Sequence, residues 1–194
     1  MLELDHLIVF LPGPDRCAGL DRVAAADLVL DRGIRHVGQG TRNRRIVFPD
    51  SYVELLWVDS PAEARASGLR FEERCDGRAR PFGVVLRGRA PEHPGFVTYA
   101  VPAGPTLRVL DDPAAPFLAV HEAADLDPLR PARRMDPEVV NAATGIAHAE
   151  IVGAGAGAAL GIAGALRGVS FADGEPALRL ALRGRSGSLV LRPG

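Results

Sequence analysis

The sequence predicts an α+β fold built from two βαβββ modules. Three observations carry that prediction. Short apolar runs rich in β-branched residues are separated by Pro- and Gly-containing turns. A β-α-β-β-β order can be read over residues 1–59. The same order returns over residues 145–194.

In the first module, Leu2 to Phe10 reads as a strand, ended by Leu11-Pro12-Gly13-Pro14. Asp15 is the expected N-cap of a helix with Leu20, Val23, Ala24 and Leu28 near helical spacing, and Gly33 its expected stop. A short strand follows over Ile34 to Val37, then a turn at Gly38-Gln39-Gly40. Arg44 to Phe48 and Tyr52 to Val58 read as strands joined by the turn Pro49-Asp50-Ser51.

In the second module, Ile146 to Val152 is the first strand and the Ala/Gly-rich run to Leu166 the helix. Gly168 to Phe171, Ala177 to Leu182 and Ser188 to Leu191 are its remaining strands. Residues 60–144 form a connecting segment within one compact unit. It has a helical stretch over Pro61 to Gly77, added strands at Phe82 to Leu86, Phe96 to Val101 and Phe117 to His121, and an irregular region over Asp125 to Val140.

Composition narrows the function classes. The chain has 194 residues, 47% of them hydrophobic, enough for a sizeable core. The formal net charge is -1, without a run of like charges, so a partner held by phosphate contacts is not expected. All 23 basic residues are arginine, which weakens any inference from a single arginine. Cys17 and Cys75 have no C-x-x-C spacing and read as free thiols of a reducing compartment. No apolar run reaches the roughly 20 residues of a membrane span. The expectation is a cytoplasmic monomer or homodimer with no nucleic-acid or membrane partner.

Strand geometry points to a site. Alternate residues of a strand share a face. Leu4, His6, Ile8 and Phe10 share one, and Tyr52, Glu54, Leu56 and Val58 share another. If those strands are neighbours, a His and a Glu meet among apolar side chains, where an ionised carboxylate needs a partner or a cation. Imidazole and carboxylate also suit zinc, iron or manganese. The same residues can serve as a structural pair, with Arg44 an alternative partner for Glu54. Tyr52 and Trp57 have the bulk of ligand-lining residues or of core residues. His36 and His121 carry no assigned role. No G-x-S-x-G, P-loop or H-E-x-x-H motif is present.

Leu4-Asp5-His6-Leu7-Ile8-Val9, Gly40-Thr41-Arg42-Asn43 and Tyr52-Val53-Glu54-Leu55-Leu56, in that order, resemble a glyoxalase-like domain of the vicinal oxygen chelate superfamily. The resemblance implies a cup-shaped mixed sheet that encloses a small organic molecule. It implies His6 and Glu54 as ligands of a divalent metal (Zn, Fe, Mn or Ni), with His148, the match of His6 in Ile146-Ala147-His148-Ala149-Glu150, as a third. Thr41, Arg42 and Asn43 would line the pocket beside Tyr52 and Trp57. Glu54 or Glu150 would move a proton. The final strand has Val190 where a second Glu ligand would stand, so two expectations remain. One is a metal-dependent lyase, isomerase or dioxygenase. The other is a metal-free binding or drug-sequestering protein.

Overall fold

The structure, a computed structural model, describes residues 2–92, 94–102, 104–121, 141, 143–153 and 166–194. The elements run β1 (Glu3–Leu11), β2 (Cys17–Ala18), α1 (Leu20–Ala25), β3 (Arg35–His36), β4 (Thr41–Val47), β5 (Tyr52–Val58), α2 (Pro61–Ala66) and α3 (Phe71–Cys75). They continue with β6 (Phe82–Arg87), β7 (Val97–Ala100), β8 (Thr106–Leu110), β9 (Phe117–His121), β10 (Gly145–Val152), β11 (Val169–Ala172), β12 (Ala177–Arg183) and β13 (Ser188–Pro193).

An eight-stranded mixed sheet has the order β3-β4-β5-β1-β6-β9-β8-β7. Its centre is the antiparallel pair β1 and β6. Each of these is also parallel to the last strand of its own half, β1 to β5 and β6 to β9. The sheet curls until the turns at its two edges touch: a Cβ on Gly38, after β3, would lie 2.8 Å from Pro102, after β7. The α+β class and the cup-shaped mixed sheet are as expected. The strands closing the cup are those of residues 82–121. The described strands of residues 145–194, with β2 at the edge, instead build a second sheet, β11-β10-β12-β13-β2, behind the first.

Alternation explains this layering. Leu7, Val9 and Leu11 of β1, Val53 and Leu55 of β5, Val84 of β6 and Leu118 of β9 turn to the back of the large sheet. They join Ile151, Leu178, Leu180 and Leu191 of the second sheet in one core. Burying each such side chain contributes about 1.5–3 kcal/mol before entropy is charged against it. The opposite residues, Ile8, Phe10, Leu56, Val85, Phe117 and Ala119, form a separate apolar cluster inside the cup with Phe71 and Cys75 of α3.

Local departures have local causes. The helix expected from Asp15 starts only at Leu20, because Cys17 and Ala18 pair with Pro193 and Arg192 of β13. Gly19 then redirects the chain at φ 103°, its Cα against the Val190 carbonyl where a side chain would clash. The helical stretch over 61–77 is two short helices interrupted at Gly68, φ 74°. The strand expected from Arg44 begins at Thr41. The helix expected before Leu166 and the irregular region over 125–140 fall outside the described residues. Both cysteines are free and buried, and burial pushes their thiols up, Cys17 to about 11 and Cys75 to about 12. Among the described residues, no helix is long and apolar enough to cross a membrane.

Candidate functional site

The cup encloses a cavity of about 610 Å³. The register explains who lines it. Tyr52 lies beside His6 and Glu54 beside Ile8 on adjacent parallel strands. His6 and Glu54 are therefore diagonal neighbours on one face, 7% and 4% exposed.

A line of polar contacts runs through them. Asp5 Oδ1 meets His6 Nδ1 at 2.7 Å, and His6 Nε2 faces Glu54 Oε2 at 3.5 Å. Asn43 Nδ2 donates to Glu54 Oε1 at 2.5 Å, and His36 Nε2 lies 3.6 Å from that same oxygen. Asn43 is itself anchored, since its Oδ1 accepts from the Ile34 backbone N–H at 2.7 Å. Gly33, φ 64°, lies so close to the Asn43 carbonyl that no Cβ fits there. The His36 ring contacts Thr41 Oγ1 through Nδ1 at 2.9 Å. Tyr52 stacks on the His6 ring at 4.2 Å and 13°, and the Arg45 guanidinium lies over the Tyr52 ring at 5.8 Å.

Asp5 reaches His6 because of a β-bulge. Opposite β6, the register steps from Leu4–Leu86 to His6–Val85, so Asp5 is the extra residue. Without that step, strict alternation would send Asp5 into the apolar core.

These contacts set the protonation states. Burial alone would raise the Glu54 carboxyl, but His6, His36 and Asn43 outweigh it and hold it at about 2. Burial likewise opposes ionisation of Asp5, yet His6, His121 and Arg87 bring it to about 2. For His6, burial would lower the imidazole; the two carboxylates overcome that and raise it. The site is an imidazole clamped between two carboxylates that favour its protonated form.

The structure brings together His6, Asn43, Tyr52 and Glu54 as expected from sequence. Thr41 is buried behind them as the support of His36. Four expected residues are placed elsewhere. Arg42 points outward from β4 and is exposed, because it alternates with Thr41 and Asn43. Trp57 belongs to the core between the sheets. His148 and Glu150 sit on the outer face of β10, bonded to Ser170 at 2.9 Å and Arg179 at 2.7 Å. The whole first sheet stands between them and the cup, so His6, Glu54 and His148 do not converge.

Sequence reasoning assigned no role to Asp5, His36, Arg45 and His121, all at or beside the cavity. His36 had one usable signal, its place just before the Gly38-Gln39-Gly40 turn facing β4. Asp5 had none, since a bulge is invisible in the residue pattern.

A divalent metal does not fit the side chains present. His6 and Glu54 are suitable donor types, but their atoms are engaged with each other, Asn43 and His36. The facing half of the cup offers Val85, Phe117 and Ala119 at the adjacent positions. Among the described residues, no three His, Cys, Asp or Glu side chains converge as a ligand set.

The profile of the glyoxalase-like domain family matches residues 4–138. No curated protein matches the chain at a significant level. Among solved structures, a hypothetical protein from Staphylococcus aureus aligns with a TM-score of 0.47 at 16% identity, over 78% of this chain and 69% of that one.

Proposed function

Because the chain belongs to the glyoxalase-like domain family, we propose that it binds a small organic molecule in the cup and shifts a proton on it. The observation that carries this reading is the Asp5–His6–Glu54 line at one end of an otherwise largely apolar cavity of about 610 Å³, a volume typical of small-molecule sites.

The roles follow from the contacts. Asp5 fixes the His6 ring through Nδ1 and leaves Nε2 turned to the cavity. Protonated Nε2 donates to an oxygen on which negative charge develops. Glu54, ionised and adjacent, accepts a proton from the neighbouring carbon or hydroxyl of the ligand. The 3.5 Å gap between Nε2 and Glu54 Oε2 is loose for a direct hydrogen bond and suits a ligand atom drawn between them. Asn43 and His36 keep the carboxylate oriented. The reaction class is a proton-transfer isomerase or lyase, and no step is routed through a metal.

A second reading, a binder without turnover, is favoured by the second half of the cup, which presents the apolar Val85, Phe117 and Ala119 opposite His6 and Glu54. One experiment separates the two. A library of small carbonyl and hydroxy compounds is screened by thermal shift, and hits are incubated in D2O and followed by NMR. Proton exchange into a hit, lost in Glu54→Gln and His6→Gln, is the expected result. Hits that bind but exchange no proton with wild type would overturn the catalytic reading and leave the binder. An absence of any hit would overturn both.

A further inference from the structure

The charged groups around the cup have a common property: each one is already balanced inside the protein. Arg45 is held by Asp31 at 2.6 Å. Arg35, at the rim, is held by Glu63 at 2.6 Å and Asp59 at 3.0 Å. Glu54 faces His6 and His36 and accepts from Asn43. Asp5 lies between His6 and Arg87, at 2.7 and 3.7 Å. On the floor of the cup the Asp5 and Glu54 carboxylates thus already have their partners in His6, Arg87 and Asn43.

The opposite wall is mostly apolar, with Tyr99 and His121 as its polar residues. Phe71 and Phe117, with centroids 6.2 Å apart, combine there with Val85, Ala119, Leu107 and Leu69. An ionised ligand would have to take a partner from an existing ion pair or leave its charge among these apolar groups, and either is unfavourable.

We infer that the cup selects neutral ligands with a flat apolar body and one uncharged hydrogen-bonding group. This rests on the cup being the binding site. The body lies against Phe71 and Phe117, and the polar group meets His6 and Glu54. A carboxylate or ammonium at the same position is rejected because the balanced floor has no counter-charge to offer.

The test uses three probes of one shape at pH 7: 2-naphthylmethanol, 2-naphthoate and 2-naphthylmethylammonium, titrated calorimetrically into the full chain. The alcohol is expected to bind at least about tenfold tighter than either ion. Either ion binding as tightly as the alcohol would overturn the inference while leaving the cup as the site. Leu107→Trp and Leu69→Trp, which fill the apolar wall from half-buried positions, should each weaken the alcohol at least about fivefold. Unchanged affinity in both variants would place the probe elsewhere and overturn the inference. If none of the three probes binds, the inference and the cup-binding reading fail together.

Discussion

Strands β1 and β10 are built alike and end up with opposite fates. Each has a parallel partner on one side and an antiparallel partner on the other. Each carries a bulge immediately before a histidine, at Asp5 before His6 and at Ala147 before His148. Each sends the residues after that histidine alternately into the shared core, Leu7 and Val9 in one, Ala149 and Ile151 in the other. Yet His6 is enclosed and His148 is exposed. The difference is what stands over the histidine face. Over β1 the large sheet curls and closes; over β10 nothing among the described residues does. Local sequence aims the side chain, and the tertiary fold decides whether the aim meets a cavity.

The contrast can be broken or sharpened by experiment. The largest effect belongs to the core that both strands share. Leu7→Ala should lower unfolding free energy by about 2–5 kcal/mol, measured by urea denaturation. Ligand affinity of the remaining folded protein should not change.

The pH dependence of stability comes next. The Asp5 and Glu54 carboxyls are held at about 2, below their ordinary values of 3.8 and 4.5. Their contribution is present above those ordinary values and is lost as pH falls toward 2. His6 is raised above 6.5, so its contribution is full below 6.5 and is lost as pH rises through the raised value. Together they give a plateau between roughly 4.5 and 6.5, with a loss on the order of a few kcal/mol toward low pH and a further loss as pH rises past the plateau. Glu54→Gln should shrink both limbs of that profile. His148→Gln should alter neither, and a changed profile in that variant would break the comparison between the strands.

A smaller effect concerns metals. A site binding zinc with micromolar affinity would gain about 2.7 kcal/mol at a hundredfold excess. The donor geometry predicts a shift well below that on addition of Zn, Mn, Ni or Fe salts, read as a melting temperature. A full-sized shift that disappears in His6→Ala would show that the side chains rearrange into a ligand set. Smallest of all, Arg42→Ala should change ligand affinity less than about twofold and stability by less than about 0.5 kcal/mol.

The pattern of the chain revealed some of this and concealed the rest for definite reasons. Tyr52–Val58 and Phe117–His121 are legible because each is a compact apolar run with clear turn boundaries. The pairing of residues 82–121 with β1 is not, because strand partners are chosen across long separations and residues 145–194 have the same local order. His6 and Glu54 could be paired from alternation once their strands are neighbours, since both then sit on the cup face. Asp5 could not, because one inserted residue moved it across the sheet. Trp57 was assigned by its bulk and Arg42 by its place in the Gly40-Thr41-Arg42-Asn43 run, and parity along β5 and β4 sends them to the core and to solvent.

The alternation within β1, β5, β6 and β9 writes two independent texts in one stretch of chain. From His6 onward, odd-numbered positions on β1 specify how the two sheets adhere. Even-numbered positions specify what the cup will accept. A lineage can rewrite one set of letters while leaving the other intact, so ligand preference is free to drift without putting the architecture at risk. A single inserted or deleted residue in such a strand, where no bulge absorbs it, has the opposite character. It exchanges the two texts, turning the core face toward the ligand and the ligand face toward the core, and neither remains readable.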